Sequence, residues 1–279
     1  MMTMMHRPVR LILKKGGKLL MLSQAFSLWR KALRSGAVWS AVVWNAVFSL
    51  LFMLVTDLAN PSISSLLFPQ ADSRQELQMF HPHLLVLRNL FVVIAAVAVG
   101  PWVFSGVYGL LGQVAAGASV SWRSFGRLAR KSYGRLWGLL LFLWIWMLAL
   151  GLVSLVVLTI LHGFGFLIVG ILGILSVPGF IRMSGGLFVS RLSWTDSFDN
   201  VFTRAGYSLL LMGTVLGLLG CLILSAIGVA LAETPVGFAP YYLILVVLSV
   251  TVPLWFFVLY QVSAPLNPHG WVHNVTKYG

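Results

Sequence analysis

Charge is scarce in this 279-residue chain. Asp, Glu, Lys and Arg make up 9% of it, against roughly a quarter in a soluble globular domain. That deficit excludes an ordinary water-soluble protein. Acidic residues are the rarest, six against nineteen Lys and Arg, for a net charge of +13. A basic balance can signal nucleic acid binding, but these bases flank apolar runs, so no nucleic-acid partner is expected. There is one cysteine, Cys221, which excludes an intramolecular disulfide and a Cys-based metal centre. Short alternating segments are missing as well, which excludes a β-barrel. No HExxH, Walker A loop or Ser-His-Asp order is found. The sequence therefore offers no catalytic residues, cofactor or metal, and it predicts a protein that is not an enzyme.

Apolar length is abundant. Hydrophobic residues are 59% of the chain and mean hydropathy is +0.94. The fold class that follows is all-α, a polytopic bundle of transmembrane helices. Six spans are expected, at about Ala37–Leu58, Leu84–Leu111, Leu136–Leu161, Phe166–Val189, Leu209–Leu231 and Tyr241–Pro265. Residues 1–21 read as a basic tail with little helix, given Gly16 and Gly17, and Met21 offers an alternative start. The apolar run LLML is too short for a cleaved signal peptide. Residues 22–266 form one membrane domain, and residues 267–279 a short polar tail. A polar loop, 59–83, separates the first two spans.

The chain is organised around Ser121 to Leu150. Its first half, SWRSFGRLARKSYGRL, has two faces at helical spacing. Trp122, Phe125, Leu128, Tyr133 and Leu136 share one; Arg123, Arg127, Arg130, Lys131 and Arg135 share the other. Its second half, WGLLLFLWIWMLAL, is uncharged. An amphipathic helix of this kind lies at a membrane surface, bases toward anionic headgroups, before the chain enters the bilayer.

Two other segments share the pattern. In SQAFSLWRKALRSG, Phe26, Trp29 and Leu33 oppose Arg30, Lys31 and Arg34, with Ser23 as the expected N-cap and Gly36 as the break. In SWTDSFDNVFTRAGYS, Trp194, Phe198, Val201, Phe202 and Ala205 form the apolar face, and Asp196 and Asp199 sit in the first turns, where negative charge suits the helix dipole. The three imply possible repeats at 22–112, 113–190 and 191–266, each an interfacial helix plus a hairpin; shared use of Trp, Phe, Ser and Arg by interfacial helices is the alternative. Seventeen Lys and Arg fall on the side of these segments and the termini, and two, Arg74 and Arg88, on the other. By the positive-inside rule both termini are cytoplasmic, in the cell membrane of a bacterium.

The block GVYGLLGQVAAGASVSWRSFGRLARKSYGRLWGLLLF resembles a pattern in uncharacterised bacterial multi-pass families. In these a span ends in small residues, a Gly-Ser linker follows, and a Phe-Arg amphipathic helix re-enters the membrane. The membrane domain of glycerophosphoryl diester phosphodiesterases shows it. VSRLSWTDSFDNVFTRAGYSLL is similar to their second half, so the resemblance covers about residues 100–220. It implies a membrane fold. Phosphodiesterase activity is not implied, because the acidic and histidine cluster needed for metal-assisted hydrolysis is missing from the sequence.

Polar groups inside a bilayer are expensive and single themselves out. Asn45 in the first span suits a hydrogen bond between helices. Asp57 and Arg88, near the outer ends of the first two spans, form a candidate pair, or Arg88 snorkels outward. Arg182 suits a lipid phosphate, or an acid such as Asp196 or Asp199. Gly100-Pro101 and Pro178-Gly179 are candidate helix breaks bordering a cavity. His81 and His83, with Asp72 or Glu76, make too weak a set for a metal. The expected function is a non-enzymatic membrane protein working through anionic lipid or a membrane partner, which includes a second copy of itself. The alternative is a small-molecule permease or a subunit of a transporter complex.

Overall fold

The computed structural model describes residues 17–57, 90, 93–204, 206–232 and 238–263. About 91% of these are helical, and none is in a strand. The helices are α1 (Gly17–Leu33), α2 (Gly36–Asp57), α3 (Gly100–Ala115), α4 (Phe125–Leu161), α5 (Gly163–Phe188), α6 (Trp194–Val201), α7 (Tyr207–Ala232) and α8 (Phe238–Ser263). A π-helical turn, Ala95–Val99, leads into α3, and a 3-10 turn, Trp122–Ser124, into α4. Five helices are long and apolar enough to cross a membrane, or six if the bent pair α1–α2 counts as one span. The chain is an all-α helical bundle of the multi-pass membrane type.

α8 holds the bundle together. It packs against α1, α2, α3, α5 and α7. Val250, Leu254, Phe257, Val258 and Leu259 are almost fully buried. Tyr108 of α3, Phe188 of α5 and Phe257 of α8 meet as three rings, with centroids 5.3 to 6.0 Å apart. Away from this core, the later part of α4 and the first part of α5 form a hairpin that exposes Trp144, Leu155, Phe164 and Phe166. Such surface is stable only against lipid or another apolar partner. His162, at φ 46, is the sole residue between the two helices.

Close approach at glycines sets the packing. A Cβ on Gly185 would sit 2.1 Å from the Tyr260 ring, and one on Gly112 would sit 2.4 Å from the Phe188 carbonyl oxygen. Small residues let helices approach where the hydrophobic effect cannot drive them together. α3 ends in a Schellman motif: the Gly117 N–H donates to the Val114 carbonyl and the Ala118 N–H to Gln113, with Gly117 at φ +80.

The three amphipathic segments take three forms. The first is a separate helix, bent 70° from α2. It begins at Gly17, so Ser23 lies inside it and is not its N-cap, and residues 17–21 are helix rather than tail. The second is not a separate helix. α4 runs unbroken for 37 residues, about 55 Å at 1.5 Å per residue, far beyond the roughly 30 Å hydrocarbon core. Gly134 and Gly138 flank the junction, but no proline or competing cap falls there, so helix propagates through. The third is only eight residues long, capped by Ser193, whose hydroxyl accepts from the Asp196 N–H at 3.1 Å. It ends at Val201, short of Phe202.

Replacing Gly185 with Ala should overpack the Tyr260 site and cost about 1–3 kcal/mol. Gly134, whose added Cβ would meet nothing within 4 Å, serves as control: Gly134→Ala should be neutral or gain up to about 1 kcal/mol from helix propensity. Thermal unfolding in detergent distinguishes them; equal midpoints would reject the close-packing account.

Candidate functional site

Arg30 and Lys31 occupy the last turn of α1, where positive charge suits the carbonyl end of the helix. With Arg34 just beyond, all three are exposed. The opposite face buries Ala25 and Ala32 and half-buries Trp29. The Trp29 indole N–H donates to the Thr251 carbonyl at 3.2 Å, and its ring lies 5.8 Å from that of Trp255. Phe26, expected on the inner face, is exposed instead. Small alanines let α1 settle on α8, and the register they impose turns Phe26 outward.

The second basic face is anchored by Phe125. Its ring stacks on Trp44 of α2, centroids 4.6 Å apart, and meets Trp102 of α3 edge-on at 5.7 Å. That fixes the rotation of α4, burying Leu128, Ala129, Ser132 and Leu136. Arg123, Arg127, Arg130 and Lys131 are therefore exposed and Arg135 is half-buried. Trp122 is not on the inner face; it is exposed, with the Arg123 guanidinium 5.8 Å from its ring. Arg130 and Tyr133 border a shallow cleft of about 400 Å³ with Ala98, Val99 and Trp102. The structure thus brings Arg130 to the segment holding Gly100 and Pro101, which are themselves buried. The π turn before them is the physical consequence of the proline: Pro101 has no N–H for the Val97 carbonyl, and its ring crowds that turn.

Arg182 is buried, and its guanidinium donates to the Asn200 carbonyl at 3.2 Å. A cation thus sits at the negative end of the α6 dipole, locking α6 along α5. Asp196 and Asp199 are exposed. Ser197 packs on Gly186, and Val201 on Gly179.

Pro178 and Gly179 do not break α5, which continues to Phe188. Pro178 leaves the Ile174 carbonyl without its helical donor, and the next carbonyl, Leu175, accepts from the Tyr207 hydroxyl. Neighbouring α7 thus supports the turn weakened by Pro178. A cleft of about 540 Å³ does open there, lined by Leu175, Ser176, Gly179, Phe202, Arg204 and Tyr207 among others. Asn45 is buried, its amide donating to the Ser249 hydroxyl, while its own carbonyl oxygen has no partner. Asp57 ends α2, but its side chain, Arg88, His81, His83, Asp72 and Glu76 lie outside the described residues.

A groove larger than these two clefts takes in Ser23, Phe26, Trp29 and Cys221 but none of the bases singled out by sequence. It measures about 610 Å³ and lies between α1, α7 and α8. Leu19, Leu22, Phe26 and Trp29 form one wall, and Gly217, Gly220 and Cys221 belong to the facing helix. The run of small residues at 217, 220 and 221 was the available signal. Which helix would face them was not legible.

Comparison of the chain with protein-family models, curated proteins and solved structures finds no match.

Replacing Arg182 with Met should remove a charge-assisted bond worth about 1.5–3 kcal/mol and free the end of α6. Hydrogen exchange at Thr203 and Arg204 should rise more than in α3. Uniform exchange across both would show that Arg182 does not hold α6.

Proposed function

We propose that this chain is a non-enzymatic protein of a bacterial cytoplasmic membrane, with both termini cytoplasmic, which acts through anionic lipid headgroups or through a membrane partner. The observation carrying this is the one-sided exposure of the bases. Seven of them (Arg30, Lys31, Arg34, Arg123, Arg127, Arg130 and Lys131) are exposed on helices whose other faces are packed into the bundle. Aromatic rings with one apolar and one polar edge, Trp122 and Tyr133 among them, lie beside them, as suits the headgroup region. Each base near an anionic surface adds about 1 kcal/mol of attraction. The exposed outer hairpin of α4 and α5 offers an apolar surface for lipid, a partner span or a second copy.

A permease or transporter subunit is the second reading. The cleft beside Pro178 and Gly179, with Ser176 and Arg204 on its edge, favours it, since proline-bent helices border transport sites in other membrane proteins.

The test is purification from native membranes in mild detergent, with mass spectrometry of the lipids and proteins retained. Anionic lipid should be enriched over its bulk fraction. Changing Arg123, Arg127, Arg130 and Lys131 together to Gln should reduce that enrichment by about tenfold or more, the scale of four interfacial charges. Enrichment unchanged by the quadruple change, with no partner lost, sinks the reading; a stoichiometric ATPase would move it to the second.

A further inference from the structure

The groove between α1, α7 and α8 has the build of a site for one acyl chain. Its lining is almost wholly apolar: leucines from all three helices, Phe26, Trp29, Val252 and Trp255, with Ser23 and Thr251 as the hydroxyl-bearing members. The Thr251 hydroxyl is already committed to the Val247 carbonyl, so it demands nothing of an occupant. Gly220 leaves the floor open, since a Cβ there would meet nothing within 4 Å. The groove opens sideways onto α7, where Leu216, Leu219, Leu222 and Ile223 are exposed. A helix 10–12 Å across fills about 500 Å³ per turn, so this groove would hold little more than one turn of a partner helix. A thin flexible chain fits it better.

Charge selects among such chains. The wall formed by α1 begins with Lys18 beside Leu19 and ends with Arg30 and Lys31 beside Trp29, all three exposed. The acids whose side chains are described, Asp196 and Asp199, lie on α6 instead. We propose that the groove binds an acyl chain of an anionic phospholipid, with the headgroup held at the Trp29 end by Arg30 and Lys31. This rests on the lipid-contact reading above and adds a specific site, separate from the α4 bases.

Cys221 is the only cysteine of the chain and lines the groove, partly buried. The full-length protein in nanodiscs therefore carries its own reporter. Alkylation of Cys221 by a membrane-permeant maleimide should be about tenfold slower in phosphatidylglycerol than in phosphatidylcholine, the scale set by two bases at an anionic headgroup. The double change Arg30→Gln and Lys31→Gln leaves the groove shape alone, since neither residue lines it, and should abolish the difference. The Gly220→Trp change should block alkylation in both lipids by filling the space. The quadruple α4 variant should keep the difference, which separates failure of this site from failure of the broader lipid reading. Equal rates for the unaltered protein in the two lipids would overturn the proposal. So would a rate that stays slow in both lipids and in the double variant, which would mean that the chain itself or a second copy covers the groove.

Discussion

Aromatic N–H and O–H groups donating to backbone carbonyls on other helices are the interaction on which this bundle depends. Trp29 reaches Thr251, Trp194 reaches Gly138, Tyr207 reaches Leu175, Tyr242 reaches Ala46 and Trp255 reaches Gly213. A carbonyl has two lone pairs, so it can keep its helical partner and accept a second. Two of these acceptors are glycines; at Gly138 the same indole lies where a side chain would be, and at Gly213 Leu259 does. An added Cβ at Gly138 would sit 2.5 Å from Trp194. The bare backbone therefore supplies both the acceptor and the room to reach it. In an apolar surrounding, where packing rather than water release joins helices, such bonds give direction that leucines cannot.

The same device handles prolines. Pro178 lies inside α5 and Pro253 inside α8. Each removes one helical hydrogen bond, and each has a cross-helix donor close by, Tyr207 at Leu175 and Trp29 at Thr251. The helices stay continuous because neighbours support the weakened turns. Pro101 has a different solution, a π turn at Ala95–Val99. The link from structure to function runs through these joints. Trp29 fixes α1 against α8, and that contact both points Arg30 and Lys31 outward and leaves the groove beside Cys221. Phe125, held between Trp44 and Trp102, does the same for the α4 bases.

The helical class and the later spans were legible at the level of residues. Apolar runs such as WGLLLFLWIWMLAL exclude anything but helix in a membrane, and α5, α7 and α8 lie within a few residues of where hydropathy put them. The acidic first turn of α6 was legible too, because Asp196 acts locally on the helix dipole. The candidate site was half legible. Bases at helical spacing declare an exposed face, since burying them is costly. The rotation of each helix was not declared: Phe26 and Trp122 read as inward and are exposed, while Ala25, Ala32 and Ser132 are buried.

Composition and hydropathy alone dictate an all-helical bundle, the position of its later spans, and bases kept on one face. Those follow from solvation of single residues, summed over a stretch. Packing between helices is what leaves α4 without a break, sets Arg182 on the end of α6, and lays α1 against α7 and α8 with a groove between. These depend on which small residue faces which large one across helices far apart in the chain. Solvation of one residue at a time carries no record of that pairing.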